Sequence, residues 1–431
     1  MVFKKRNNRD YLTRRQFLAG EAAVLSGAVV ARSTHSTDIS VAEGQTAGLM
    51  QKSYLPMISQ SADLPPSGPY HIYVARNGTP VTNVQNVIAL AGGIQRFIDY
   101  DDAVVLKPNG QWPNQGYTHT LCIKALIDLI INRPGGFGGE IIIAEHVHRD
   151  PTAALTGSYC WNMSAGNRLR NWPDMNYFEL IQYYHSWGIL NVAAIPLYDS
   201  GSGDFSAVSG PAALSSGRHG WVRASYTAAS NGRKVRLSHP VLYSGFSGKW
   251  IDLKNGVWEN GAYNGQKVKL IVLPTLNNHG SLDAEDYAGP TSAIKSHLGI
   301  VDFTGDSNTP YTLHSVGFNA PVRPEALGES VGYLITRILS PAFYMTCAEY
   351  TGYGGRTGST ATQTKTVGLC TDPATLDYWM CKHVMFPCRT NQVFMNPDND
   401  YNLRKTLVGC RSMGLGTLNE AEITAHQITL P

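Results

Sequence analysis

DAVVLKPNGQWPNQGYTHTLCIKALIDLIINRPGGFGGEIIIAE, residues 102–145, is the stretch that decides the fold. It opens with an apolar run, Asp102–Lys107, closed by Pro108-Asn109-Gly110. A short apolar run stopped by turn residues reads as a buried strand. Thr118–Asn132 follows, with Cys122, Leu126, Leu129 and Ile130 recurring on one helix face. Pro134-Gly135-Gly136 stops that helix, and Glu140–Glu145 is a second buried strand. Strand, helix, strand in this order is the unit of a parallel sheet with right-handed crossovers.

The rhythm continues outward from this unit. Asn176 and Glu179 have capping-box spacing and open a helix through Trp187, with Tyr177, Leu180, Ile181 and Tyr184 on its apolar face. Ile189–Pro196 is a third strand and Lys267–Leu273 a fourth. Thr291–Leu298 and Glu325–Leu339 read as helices, and Phe343–Ala348 and Thr366–Leu369 as strands. Asp372-Pro373 starts another helix, with Asp as N-cap and Pro at the first position, and a last helix covers Asn402–Met413. Residues 200–265 break the pattern. They are Gly/Ser-rich and then strand-like, with Asn255-Gly256 as a hairpin turn, and read as an antiparallel β insertion. The expected fold class is α/β: a mostly parallel sheet with flanking helices and that insertion.

The amino-terminal residues differ in kind. Lys4, Lys5, Arg6 and Arg9 precede Thr13-Arg14-Arg15-Gln16-Phe17-Leu18, and a weakly apolar stretch, Leu18–Val30, carries Glu21. This resembles a twin-arginine export signal; a single-pass anchor is the competing reading. Residues 1–32 are expected to be the signal peptide, 33–68 a polar linker and 69–431 a single α/β domain. The resemblance implies engagement of the twin-arginine export machinery and an extracytoplasmic location. No later run is long and apolar enough to span a membrane.

Net charge is +3, and no basic cluster marks the body of the chain, which argues against a nucleic-acid partner. None of the seven cysteines stands in a C-x-x-C pair, so a zinc ribbon or an iron–sulfur cluster is not expected. Buried thiols, or one or two disulfides after export, both fit the count.

Ligands of parallel sheets sit beyond the carboxyl ends of the strands. Those ends hold Lys107-Pro108-Asn109, Glu145-His146-Val147-His148, Asn277-Asn278-His279, the Gly-rich turn before Arg356, and Asp372. Three segments here resemble the "domain of unknown function 362" family: DAVVLKPNGQWPNQGYTHT; VLPTLNNHG followed by TSAIKSHLGIVD; and VGLCTDPATLDYW. The resemblance runs over about residues 95–390, with the segments in the family's order. It implies a shared rim of site residues but no particular reaction. Some members of that family carry a ferredoxin-like cluster segment, whose cysteines this chain lacks. The family pattern usually has Lys where Asn277 or Asn278 stands.

Each candidate has a structural reading beside its functional one. Lys107 can neutralise an anion or act as acid or base, or form a rim salt bridge. His279 can shuttle a proton or ligate a metal, or be a bonded loop residue. Lys295 and His297 are two apart on a helix, so at most one enters a site, and Lys295 is the expected one. Asn109, Arg356 and Asp372 are candidate substrate contacts; Asn109 also suits a turn and Asp372 a helix cap. Glu145 with His279 is a candidate site for a divalent metal. Together these residues point to an exported enzyme acting on a small anionic substrate, with Lys107, His279 and Lys295 as its catalytic residues. The competing reading is a non-catalytic binder of a glycan or small molecule, using Trp221, Trp250 and Trp258 of the insertion.

Overall fold

A computed structural model describes residues 70–110, 112, 116–147, 175–280, 285, 288–305, 311–318, 322–355 and 360–431. Its strands in chain order are β1 (Tyr70–Arg76), β2 (Ala103–Pro108), β3 (Glu140–His146), β4 (Val192–Leu197), β5 (Phe205–Val208), β6 (His219–Thr227), β7 (Lys234–Tyr243) and β8 (Trp250–Asp252). Then come β9 (Gly256–Glu259), β10 (Ala262–Tyr263), β11 (Val268–Leu273), β12 (Leu276–Asn277), β13 (Tyr311–Thr312), β14 (Phe343–Gly352), β15 (Ala361–Cys370) and β16 (Ile423–Thr429).

The main sheet has the order β16-β1-β15-β14-β11-β2-β3-β4, with β12 alongside β14. Strands β14, β11, β2, β3 and β4 run parallel to one another, whereas β15 is antiparallel to both β14 and β1. The fold is therefore α/β with a mostly parallel main sheet. β2 and β3 are buried along their whole length, as strands covered on both faces must be, which is why their sequences are unbroken apolar runs. The helix Thr120–Ile131 buries Cys122, Ile123, Leu126, Ile127 and Ile130. The helix Tyr177–Ser186 starts with a complete capping box: Asn176 Oδ1 accepts from Glu179 N at 2.9 Å, and Asn176 N donates to Glu179 Oε2 at 2.7 Å.

Among the elements not anticipated are β1, β16 and the helix Pro80–Leu90, which Thr79 caps by accepting from Thr82 N. β16 brings the end of the chain back beside β1, in parallel. The insertion forms a second sheet, β10-β9-β8-β7-β6-β5, with β13 beside β7. Its strands β6 to β10 pair antiparallel, and Asn255-Gly256 turns β8 into β9 with Gly256 at φ 106°. Burial opposes ionisation of Asp252, yet bonds from His239, Tyr263 and Asn255 outweigh it and hold the carboxyl well below the usual range.

The helices Pro324–Arg337 and Asn402–Ser412 touch backbone to backbone. A Cβ at Gly328 would lie 2.0 Å from Thr406 O, and one at Gly409 2.1 Å from Glu325 O. Only glycine permits that approach. Among the described residues six cysteines are free thiols, five of them buried; Cys160 lies outside the described residues. No helix among the described residues is long and apolar enough to cross a membrane.

Candidate functional site

Adjacent parallel strands β2 and β3 carry Lys107 and Glu145 as their penultimate residues. Lys107 Nζ lies 2.6 Å from Glu145 Oε2, and the two side chains are 1% and 3% exposed. Lys107 also donates to Ser296 Oγ at 2.9 Å, and Ser296 donates to Asn109 Oδ1 at 3.1 Å. Asn109 is half-buried and its loop is fixed on several sides. Its N–H donates to Thr118 Oγ1 at 2.8 Å, the Thr118 hydroxyl donates to Leu273 O at 2.6 Å, and Tyr177 OH donates to Asn109 O at 2.7 Å. A chain of hydrogen bonds thus leads from a half-buried amide to a buried carboxyl.

The short helix Ala293–Ser296, continued by the tighter turn His297–Ile300, closes the site. Its first N–H groups are held by Asp377, which accepts from Ala293 N at 2.7 Å and Ile294 N at 2.9 Å. That anchor puts Ser296 on Lys107 and Gly299 against the ion pair. A Cβ at Gly299 would lie 2.5 Å from Glu145 Oε1 and 2.7 Å from Lys107 Nζ. The three family-like segments therefore meet here, through Lys107, Ser296 and Asp377.

Burial drives the Glu145 carboxyl up to about 7 against the pull of Lys107. Burial likewise raises Asp377 to about 6, against the bonds it accepts. His297 is fully buried, and desolvation lowers it to about 4, with Lys107 adding to the effect. Its Nδ1 faces the carbonyls of Ala293 and Ile294, which only accept, so Nδ1 carries the hydrogen. Nε2 is left as an acceptor 3.4 Å from Tyr344 OH.

The other expected residues are placed differently. Lys295 turns away from Lys107 and donates to Gly289 O at 2.5 Å. Asp372 caps the helix Pro373–Met380, accepting from Thr375 N and Gly416 N, both at 2.8 Å. His279 follows β12, which runs along β14, with Asn278 N donating to Gly352 O. β11 and β2 stand between β14, which β12 adjoins, and β3, which carries Glu145. Glu145 is engaged by Lys107, and among the described residues no group of three or more His, Cys, Asp and Glu could hold a metal ion. Arg356 and His148 lie outside the described residues. Trp221 is fully buried and donates to Tyr198 O at 2.7 Å, so it belongs to the core. Trp250 and Trp258 are half-buried and pack on Tyr243 and Tyr263.

Sequence reasoning missed Ser296, Gly299 and Asp377 as site builders, and the pairing of His146 with Asp199 at the ends of β3 and β4. There His146 Nε2 is 3.2 Å from Asp199 Oδ1, and the ring packs on Phe303 at 4.1 Å. The Asp-Pro-x-x-x-Asp spacing was the available signal for Asp377. No protein-family model, curated protein or solved structure matches this chain.

Proposed function

We propose that the chain is an enzyme that performs acid–base chemistry on a small anion at the carboxyl rim of β2 and β3. The observation that supports this is the buried Lys107–Glu145 pair, linked through Ser296 to half-buried Asn109. A carboxyl raised to about 7 can both give and take a proton near neutrality. A lysine at the strand end supplies the positive group that an anionic partner would meet. Ser296 accepts from Lys107 and donates to Asn109, so it ties the buried pair to a half-buried amide.

The test is thermal unfolding of the full chain at pH 6.5 with inorganic phosphate, sulfate, acetate and citrate, each in turn. A ligand at 100 times its Kd stabilises by about 2.7 kcal/mol. At least one anion is expected to raise the midpoint of the native protein and to leave a Lys107→Met/Glu145→Leu variant unmoved. No shift with any of the four, or equal shifts in both proteins, rejects the reading.

The location belongs to the same proposal: the twin arginines Arg14 and Arg15 direct the folded chain out of the cytoplasm. Changing both to Lys is expected to leave the protein in the cytoplasmic fraction; undiminished export of that variant removes this part.

A further inference from the structure

The edge of the main sheet far from Lys107 carries a second cluster. β1 and β16 pair in parallel with Tyr73 opposite His426, and His71, two residues before Tyr73, faces the same side of the sheet. His71 Nδ1 and His426 Nε2 are 3.0 Å apart. Both residues are half-buried, and the Tyr73 ring packs on His426 at 5.0 Å. Desolvation, with the neighbouring His71 adding to it, lowers the pKa of His426.

We propose that His71 and His426 chelate one late first-row divalent transition ion, of the Ni2+ or Cu2+ class, with solvent completing its coordination. Neutral imidazole is a good ligand for these ions. At metal–nitrogen distances of about 2.0–2.1 Å, the 3.0 Å separation corresponds to a ligand–metal–ligand angle of roughly 95°. That is near the angle between neighbouring ligands in square-planar or tetragonal coordination, which Cu2+ and Ni2+ favour. Binding requires both rings to turn out of their present head-on hydrogen bond, and the hydrogen now between the nitrogens moves to the outer nitrogen of its own ring. The two ligands come from the first and last strands of the described residues, which are already held in register, so the ion joins β16 to β1. This site is independent of the Lys107–Glu145 reading.

The test uses the full chain, without a histidine tag and stripped with EDTA, titrated with NiCl2 by calorimetry. One Ni2+ per chain is expected, with a rise in the unfolding midpoint. His71→Gln and His426→Gln are each expected to weaken binding at least about 10-fold, the loss seen even for partners outside the coordination sphere. Neither variant should gain stability from Ni2+. Should a variant fail to fold, electron paramagnetic resonance of the Cu2+-loaded native protein decides. Two coupled imidazole nitrogens support the site. A spectrum without them, or Ni2+ binding undiminished in both variants, overturns it.

Discussion

Lys107→Met is expected to cost about 3–5 kcal/mol of stability at pH 8, the scale of leaving one buried ion without its partner. The double variant Lys107→Met/Glu145→Leu is expected to recover most of that loss. Replacing both ions by apolar side chains of similar size is neutral or even stabilising by about 1–4 kcal/mol. The pH dependence carries the sign. In the unfolded chain a glutamate ionises near 4.3. In the folded chain Glu145 keeps its proton up to about 7, and higher still once Lys107 no longer opposes burial. Between those values the unfolded state binds fewer protons, so stability falls as pH rises. Urea unfolding should therefore show Lys107→Met losing less at pH 5 than at pH 8. The double variant should show no such slope from this position. Equal costs at both pH values would mean that Glu145 titrates as an ordinary carboxyl.

Gly299→Ala is the second large effect, and its sign is informative. In an open helical turn, alanine is better than glycine by up to about 1 kcal/mol. At Gly299 the added methyl meets Glu145 Oε1 and Lys107 Nζ at 2.5 and 2.7 Å. The atoms it meets end side chains that are themselves buried, so they have little room to retreat. The expected outcome is a loss of about 1–3 kcal/mol, the usual cost of overpacking, together with a displaced ion pair. Thermal unfolding checks the first part. A gain in stability would show that the turn His297–Ile300 does not press on the pair.

Much of the parallel half of the sheet could be read from the chain because its strands are buried on both faces and so carry unbroken apolar runs. The capping box at Asn176 and the cap at Asp372 were equally readable, since those side chains bond to backbone three residues away. β16 was not. Its sequence ITAHQIT is polar and half-exposed at the sheet edge, and its partner β1 lies at the other end of the domain. No local pattern encodes such a pairing. For the site, Lys107, Asn109 and Glu145 follow from their position at strand ends. Whether Lys295 or Ser296 meets Lys107 depends on the rotation of a four-residue helix, which Asp377 fixes from a distant segment. Spacing alone cannot supply that rotation. The expected partnership of Glu145 with His279 assumed neighbouring strands, whereas β11 and β2 stand between β3 and β14, which β12 adjoins.

The central claim is that Glu145 exchanges a proton near neutrality while bonded to Lys107. Its most direct test is a pH titration of the full chain followed by difference infrared spectroscopy, reading the carbonyl band of a protonated carboxyl group. A band that disappears with an apparent pKa near 7, and is absent from Glu145→Gln, is the expected result. Loss of every such band by about pH 5, or a band near 7 that survives in Glu145→Gln, contradicts the account.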